Sequence, residues 1–452
     1  MKISAVILNS GRAPVFRSET SEKKSNSDLK QDYKNFVMPV GIAMATFAIT
    51  FGSYQIIKSK PSAYVKTLAE SMGSAKNRTI NPKNLSPIAS SEELLGMLSK
   101  LENKNYVFNP ENLKNGVFRA DLHSHSIHSD GDGFVKNLLD DAAEYADKLY
   151  SKTRQKFVFA LTDHDTVSGL KEALDIIEAN PQKYKNLRFV PGVEVSFAHK
   201  VHNSSNPCEM SELLVYGVNP YSDKVNKFLD GIRQKRIDMV HNYFSELAEK
   251  YPQTKFSFDE FVKFYEFKKY GNVMNIHWRA YHYAQTKHAI TQHANKFGKN
   301  PEEYYSKIMT DKQNPSVGYL KETVNELQKI CEDAEITKIF QKYKPHFENG
   351  KLIASSENTF EEIISAFKDE PNIFMAFSHP CWYARTVQNP IEGLKYYVEH
   401  SNGLIKASES FHQVYKNPVT DDFISKIQQA TENLNLLNLG GRDNHGTRLF
   451  IR

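Results

Sequence analysis

The sequence predicts an α/β protein built on a parallel sheet or barrel, and two patterns support this prediction. Helical segments such as GFVKNLLDDAAEYADKLY and VSGLKEALDIIEAN alternate with short apolar runs from Val117 onward. These runs have strand length and are rich in Val, Phe, Ile and Leu. Strands that alternate with helices favour a parallel arrangement, because each helix returns the chain to the start of the next strand. The runs are VFRADLH, KFVFALT, LRFVPGVEV, ELLVYGV, IFMAFS, GLIKASE and LNLLNLG.

Composition supports a folded protein and limits its partners. The chain has 452 residues, of which 40% are hydrophobic and 12% aromatic, so a substantial packed core can form. The net charge is +5, but basic and acidic residues are interspersed, so we expect no stable nucleic-acid partner. Cys208, Cys331 and Cys381 are scattered and form no CxxC pair. This pattern excludes a disulfide framework and a cysteine zinc knuckle, and leaves histidines and carboxylates as metal ligands.

The N-terminal region predicts a membrane anchor. Residues 1–35 are polar and are expected to be a disordered tail, whereas residues 36–57 carry no charge. At about 1.5 Å per residue, this segment can cross a bilayer of roughly 30 Å as a transmembrane helix. A buried core helix and a cleaved signal peptide are alternatives, and lysines on both flanks leave the side of the membrane open. Residues 58–115 are expected to be a linker with one helix leading into the barrel.

Polar side chains follow the apolar runs at the points where the strands end. The carboxyl ends of the strands in a barrel converge on one rim, so we expect these side chains to meet. Residues two apart on a strand point the same way, so Asp121, His123 and His125 should share a face. The polar residues at the strand ends are Asp121, His123, His125, Asp163, His164, Asp165, Glu194, His379, Asp443 and His445.

The residue types at these strand ends indicate a metal centre. Neutral imidazole and ionised carboxylate are the usual protein ligands of zinc, manganese and iron. One ion takes three or four ligands, and about twice that number lie at the predicted rim. Several ions that share bridging carboxylates would account for this excess. A lone histidine after a strand is more often an ordinary polar residue, so we interpret His128 and Asp132 as turn residues.

Five motifs in order resemble the polymerase and histidinol phosphatase (PHP) family. They are DLHSHSIHSDG, ALTDHDTVSGL, VPGVEVS, FSHP and GRDNHG, and within the family they look most like stand-alone phosphoesterases of the nucleoside-bisphosphate phosphatase type. The resemblance implies a distorted, seven-stranded TIM-like (β/α) barrel with two or three divalent ions, Mn²⁺, Zn²⁺ or Fe²⁺. It also implies a first barrel part at 116–220, a helical insertion at 221–370 and a second barrel part at 371–452.

The resemblance assigns roles residue by residue. In the insertion, NIHWRAYHYAQ is similar to the family's RPHxA stretch, which makes His277 a candidate substrate contact. An aromatic-rich packing face is the alternative for this stretch. The metal ligands implied by the motifs are His123, His125, Asp130, His164, Glu194, His379, Asp443 and His445.

Three positions depart from the family pattern. Glu212 stands where many members have a ligand histidine; glutamate can also bind or bridge ions, so a third ion is either kept with changed affinity or lost. Relatives often have an arginine soon after the AHP motif, but this chain has Trp382 there, and Arg385 is the nearest arginine. Arg442 replaces a small residue. Because phosphate binding depends on such charges, we expect Arg385 and Arg442 to contact the substrate.

The implied reaction is attack of a metal-bound hydroxide on the phosphorus of a phosphomonoester. A phosphorylated small molecule, a nucleotide 3′-phosphate or an oligonucleotide end, is the expected partner. Cys381 is not expected to act as a nucleophile, because no phosphate-cradling loop surrounds it. Asp165 is expected to cap a helix that begins near Thr166, and a role as proton donor to the leaving group is its alternative. His412 is the other candidate proton donor.

Other functions remain as alternatives. A proofreading nuclease module is disfavoured because the last motif lies close to the end of the sequence, where no polymerase region follows. A membrane-tethered protein that binds metal or nucleotide without catalysis is kept open by Glu212 and Trp382. A histidinol-phosphatase-like enzyme is a further alternative.

Overall fold

The computed structural model describes a barrel-like sheet with helices packed against it. It describes residues 95–96, 118–200, 208–264, 276–296, 300, 333–349, 351–353, 356–380, 390–412 and 418–449. The predicted tail at 1–35, the predicted transmembrane helix at 36–57 and almost all of the predicted linker lie outside these residues. Within the described ranges, no helix combines the length and apolar character needed to span a membrane.

Seven strands form one sheet, and each of the seven apolar runs supplies one of them. The strands are β1 Ala120–Asp121, β2 Phe157–Leu161, β3 Leu187–Lys200, β4 Cys208–Tyr216, β5 His346–Glu348, β6 Lys351–Ile353, β7 Phe374–Phe377, β8 Ile405–His412 and β9 Leu437–Gly441. The strand order in the sheet is β1-β2-β3-β4-β7-β8-β9, and β5 and β6 form a separate hairpin.

The sheet is mixed, which corrects the expectation of an all-parallel arrangement. β1, β2 and β3 are parallel, and so are β7, β8 and β9, but β4 runs antiparallel to both of its neighbours. The reason is the short connection between β3 and β4, since a parallel crossover requires a dozen or more residues. The start of β4 therefore lies at the rim formed by the carboxyl ends of the other strands.

The barrel is nearly closed where its first and last strands meet. Beyond the ends of β1 and β9, Ser124 and Asn444 form a parallel bridge. The amide of His125 donates to the carbonyl of Asn444 at 2.9 Å. This backbone seam is flanked by predicted metal ligands on both sides, so barrel closure and the site are built from the same residues.

Helices follow most of the strands and cover the outside of the sheet. The helices are α1 Val135–Thr153, α2 Ser168–Ala179, α3 Asp223–Lys250, α4 Phe258–Phe264, α5 Ile276–Lys296, α6 Ala334–Tyr343, α7 Phe360–Phe367, α8 Pro390–His400 and α9 Pro418–Asn433. The two segments predicted to be helical form α1 and α2, which follow the first and second apolar runs.

Successive side chains of a strand point to opposite faces of the sheet and so contribute to two separate cores. On β2, Phe157 and Phe159 belong to the large core between the sheet and the helices, whereas Val158 and Ala160 point into the barrel. Leu95, from the predicted linker helix, packs against the cluster inside the barrel. The barrel interior thus holds a cluster of apolar side chains.

The helices between β4 and β7 have a core of their own. Aromatic residues of α3, α4, α5 and α6 pack together, including Tyr243, Phe261, Tyr283 and Phe340. The first part of α3 instead contributes to the barrel core. One continuous helix therefore joins the two cores and places the inserted helices next to the barrel.

Replacing Phe159 by alanine tests the outer core. The side chain is fully buried, so we expect the free energy of unfolding to fall by about 3–5 kcal/mol. The matched control is Phe134→Ala at the start of α1, where the side chain is 56% exposed and the expected change is within about 0.5 kcal/mol. Urea unfolding followed by circular dichroism measures both. Equal losses in the two variants would contradict the described packing.

Candidate metal centre

The Glu194 carboxylate lies at the centre of the rim. It comes from the middle of β3, is fully buried, and accepts a hydrogen bond from the Ser378 hydroxyl. Burying a carboxylate is costly unless it is paired, and histidines from three other strand ends surround this one. The nitrogens facing it are His123 Nε2 at 2.9 Å, His125 Nε2 at 3.3 Å, His164 Nδ1 at 3.3 Å and His379 Nε2 at 3.4 Å.

The predicted ligands form three overlapping sets of donor atoms. Within each set, the atoms able to bind an ion lie within 4.8 Å of one another. His125, His164 and Glu194 each belong to two sets, which is the arrangement expected of a multinuclear centre with shared ligands. The sets are His125, Asp130, His164 and His445; His123, His125 and Glu194; and His164, Glu194 and Glu212.

The two predicted ligands outside these sets also reach the same place. Asp443 Oδ1 lies 3.0 Å from His125 Nε2 and 3.4 Å from His123 Nε2. His379 Nε2 lies 3.3 Å from Glu212 Oε2. All nine residues expected to bind metal therefore meet at one rim.

The loop after β1 is shaped by a buried carboxylate that binds no histidine in the described structure. Asp163 accepts hydrogen bonds from the amide of Ser126 at 2.6 Å, its hydroxyl at 2.7 Å and the Ser129 hydroxyl at 2.8 Å. These bonds fold the loop so that Asp130 faces His445, with 3.1 Å between Oδ1 and Nε2. Asp163 thus orders the loop that presents three of the predicted ligands, His123, His125 and Asp130.

The charges at the rim shift the pKa values of its side chains. Burial alone would lower the pKa of His125, but hydrogen bonds to Asp443 and Glu194 raise it to about 10. In the same way, Glu194 and Glu212 outweigh burial and raise the pKa of His379 to about 9. Burial and the charge of Glu194 raise the pKa of Glu212 to about 8. Proton uptake of this kind is expected where cation ligands face one another.

Two further observations show that these residues fit divalent ions. The Nε2 atoms of His123 and His125 lie only 3.0 Å apart, and the carboxylates around them raise the pKa of both side chains. Two adjacent imidazolium groups repel, whereas two neutral imidazoles can share a cation. In addition, His164 Nδ1 is buried and makes no hydrogen bond within the described residues. An ion would satisfy these donor atoms.

Glu409, on β8, is a site residue that the sequence analysis missed. It is buried, lies 3.1 Å from His123 Nδ1, and accepts a hydrogen bond from the amide of His379 at 2.9 Å. A carboxylate behind a metal-binding histidine fixes its ring and tautomer. Gly441 is needed beside it, because a Cβ atom there would collide with both His123 and Glu409. The signal was the carboxylate at the end of the apolar run GLIKASE, although β8 itself continues to His412.

Asp165 does not cap the following helix, so that expectation is wrong. The residue before α2 is Val167, and no side chain caps the helix. Asp165 instead accepts a hydrogen bond from the amide of Ser196 at 3.1 Å and lies 2.8 Å from Nη1 of the buried Arg236. Arg236 belongs to α3 and also binds Glu357 at 2.5 Å. Asp165 therefore links the loop of His164 to the insertion, and its role as a proton donor stays a prediction.

Arg442 makes contacts within the barrel wall. Its Nε donates to Asp121 at 2.6 Å, its Nη1 donates to the carbonyl of Leu449, and its guanidinium lies over the ring of Phe118. Asp121 is thus paired with Arg442, whereas His123 and His125 face Glu194. These contacts weigh against the predicted substrate contact of Arg442.

The remaining candidate residues are placed as follows. His277 is buried on α5, and burial first, then the charges of Arg236 and Lys344, lower its pKa to about 3. His412 is the last residue of β8, but its side chain is outside the described set. Arg385 lies outside the described residues altogether. The roles of these three residues stay predictions.

Comparisons with known proteins give a likeness in structure only. No protein-family model and no curated protein matches the chain by sequence. A solved structure from Bifidobacterium adolescentis, described as a metal-dependent phosphoesterase, shares 16% identity, covers 73% of this chain and 88% of its own, and has a TM-score of 0.40. An amidohydrolase from Chromobacterium violaceum, with bound sulfate and no metal, shares 18% identity with the same coverage and a TM-score of 0.39. These TM-scores are too low to support an inference about function. Any inference about function therefore rests on the geometry of the site.

Replacing Glu409 by glutamine tests whether it positions His123. The amide keeps the shape of the side chain but loses the charge, so we expect metal affinity to fall by about 10–100-fold. Competition with a chromophoric chelator measures this affinity. Glu399→Gln, at an exposed position of α8, is the control and should leave it unchanged. An unchanged affinity in the Glu409 variant would exclude the positioning role.

The metal-free protein should lose stability as the pH rises from about 7 to 10. Histidines with raised folded-state pKa values stabilise the fold below their usual pKa of 6.5, and this contribution is lost as the pH passes about 9 to 10. The raised pKa of Glu212 acts in the same direction as the pH passes about 8. Thermal unfolding in a chelator should show the fall, and added Mn²⁺ should reduce it. A constant midpoint in the chelator over this range would refute the expectation.

Proposed function

We propose that this chain is a metal-dependent hydrolase that acts on phosphomonoesters. The observation that carries the proposal is the set of three overlapping donor groups at one rim, joined through Glu194, His125 and His164. A single structural ion needs only one such group. Shared ligands of this kind support a centre that binds two or three ions next to each other, as in phosphoester hydrolysis.

The ions, when bound, would lower the pKa of water, neutralise phosphoryl oxygens and stabilise the leaving oxygen. The protein's own residues prepare the site for this chemistry. Glu194 offers oxygens to histidines on two sides, and Glu409 holds His123 in one orientation. Asp163 and Asp165 fix the loops that carry Asp130 and His164. The donors are therefore preorganised, and little rearrangement is needed when substrate binds.

The insertion supplies the proposed contact to the substrate. Because the pKa of His277 is lowered to about 3, its imidazole is neutral and can donate a hydrogen bond to a phosphoryl oxygen without gaining a proton. Arg236, whose charge acts on His277, is also bound to Asp165, which directly follows His164. The influence of Arg236 on His277, together with its ion pair to Asp165, supports a substrate contact for His277 in this proposal. A nucleotide with a second phosphate is the proposed substrate class.

Release of inorganic phosphate from p-nitrophenyl phosphate and from a nucleoside 3′,5′-bisphosphate, with added Mn²⁺, tests the proposal. We expect activity on both substrates that a chelator abolishes. Asp443→Asn should lower kcat/KM on both substrates by more than about 100-fold. This loss exceeds the roughly 10–100-fold typical for a residue that only hydrogen-bonds to a metal ligand, because Asp443 is expected to bind the ions itself. His277→Ala should raise KM for the bisphosphate about tenfold, as expected for a lost hydrogen bond to a charged group.

His400→Ala, at the end of α8 and exposed, is the control for the histidine substitution and should leave both parameters unchanged. A protein that binds metal but releases no phosphate from either substrate would overturn the proposed reaction. It would support the alternative of a binding protein without catalysis.

A further inference from the structure

The three donor sets differ in chemical composition. The set of His125, His164, His445 and Asp130 offers three nitrogens and one oxygen. The set of His164, Glu194 and Glu212 offers one nitrogen and two carboxylates. The ring of His379 also lies 3.3–3.4 Å from the two glutamates, and counting it still leaves this set half oxygen. We name the first the nitrogen-rich set and the second the oxygen-rich set.

The oxygen-rich set is built for a cation. Glu194 is fully buried, and Glu212 is only 17% exposed at its side chain, so both carboxylates are largely removed from water. His164 Nδ1 points at them, 3.3 Å from Glu194 Oε2 and 3.6 Å from Glu212 Oε1. This nitrogen is buried and makes no hydrogen bond within the described residues. A cation between these two carboxylates and the imidazole nitrogen would satisfy all three groups.

Ligand type selects among divalent ions. Imidazole suits zinc and iron, whereas carboxylate suits manganese and magnesium. Most N/O sites bind zinc more tightly than manganese in absolute terms, so selectivity must be judged by the ratio of the two affinities. The ratio of zinc affinity to manganese affinity should be lower where oxygen ligands replace nitrogen ligands. Two sets that share His164 but differ in their other ligands should therefore differ in this ratio.

We propose that the centre is heterometallic, with a zinc or iron ion in the nitrogen-rich set and a manganese or magnesium ion in the oxygen-rich set. Glu212 is the residue that sets this difference, because it belongs to the oxygen-rich set alone. The inference depends on the metal centre of the proposed function, but not on the reaction. It concerns which ions the chain holds, and it can be measured without substrate.

The test is metal retention by the full chain. Chelator-treated protein is dialysed against equimolar Zn²⁺ with an excess of Mn²⁺ and then against metal-free buffer. Elemental analysis gives the zinc and manganese per chain, and electron paramagnetic resonance reports the bound Mn²⁺. We expect both metals on the native chain. In Glu212→His the ratio of manganese to zinc should fall by about tenfold or more, as changes around a metal ligand alter affinity by about 10–100-fold.

Matched variants separate this effect from a loss of folding. Glu249→His, at an exposed position near the end of α3, introduces the same histidine away from the site and should keep the native ratio. Glu212→Gln removes the charge without adding nitrogen and should lose manganese while keeping zinc. Far-UV circular dichroism checks that each variant is folded, and Glu212→Gln alone decides the question if the histidine variant does not fold.

The outcomes distinguish this inference from the proposed function. If the native chain retains only zinc, or if Glu212→His and Glu212→Gln both keep the native ratio, the heterometallic centre is overturned and a phosphoesterase with one kind of ion remains. If the native chain retains neither metal, the metal centre itself is overturned, and the proposed function with it.

Discussion

The site depends on one buried carboxylate. Glu194 has no access to water, so its charge must be balanced by the groups around it. Four histidines from three separate strand ends supply the nearest nitrogens, and together they outweigh burial and hold the pKa of Glu194 well below its usual range. Glu409 in turn holds the ring of His123 and accepts a hydrogen bond from the amide of His379. The arrangement of the rim follows from the need to keep this one charge satisfied.

The topology of the sheet decides which residues can reach Glu194. Parallel strands bring their carboxyl ends to the rim, which accounts for His123, His164 and His379. Glu212 reaches the same rim from the other direction, because β4 is antiparallel and begins there. The pairing of Ser196 with Glu212 places this glutamate beside β3, two residues beyond Glu194. A barrel of parallel strands alone would not bring these two carboxylates together in this way.

Features encoded locally in the sequence were predicted better than contacts between residues far apart in the chain. All seven apolar runs are strands of the sheet, and the nine predicted metal ligands meet at the rim, because both features are encoded within a few residues. The direction of β4, the pairing of Asp121 with Arg442 and the bond between Asp165 and Arg236 were not predicted. Asp121 and Arg442 are 321 positions apart, and a single sequence contains no signal for which distant charges will pair. Glu409 could have been found by treating its run like the others.

The seam between the first and last strands gives the metal centre a mechanical role. Asn444, which bonds to the backbone of His125, lies between Asp443 and His445, so ions held by these side chains would also clamp the two edges of the barrel. Joining chain segments this distant removes much conformational freedom from the unfolded state, as a covalent cross-link does. Bound ions would thus act as a reversible cross-link between the two edges. The concentration of free metal would then set how readily proteases cleave the chain along this seam.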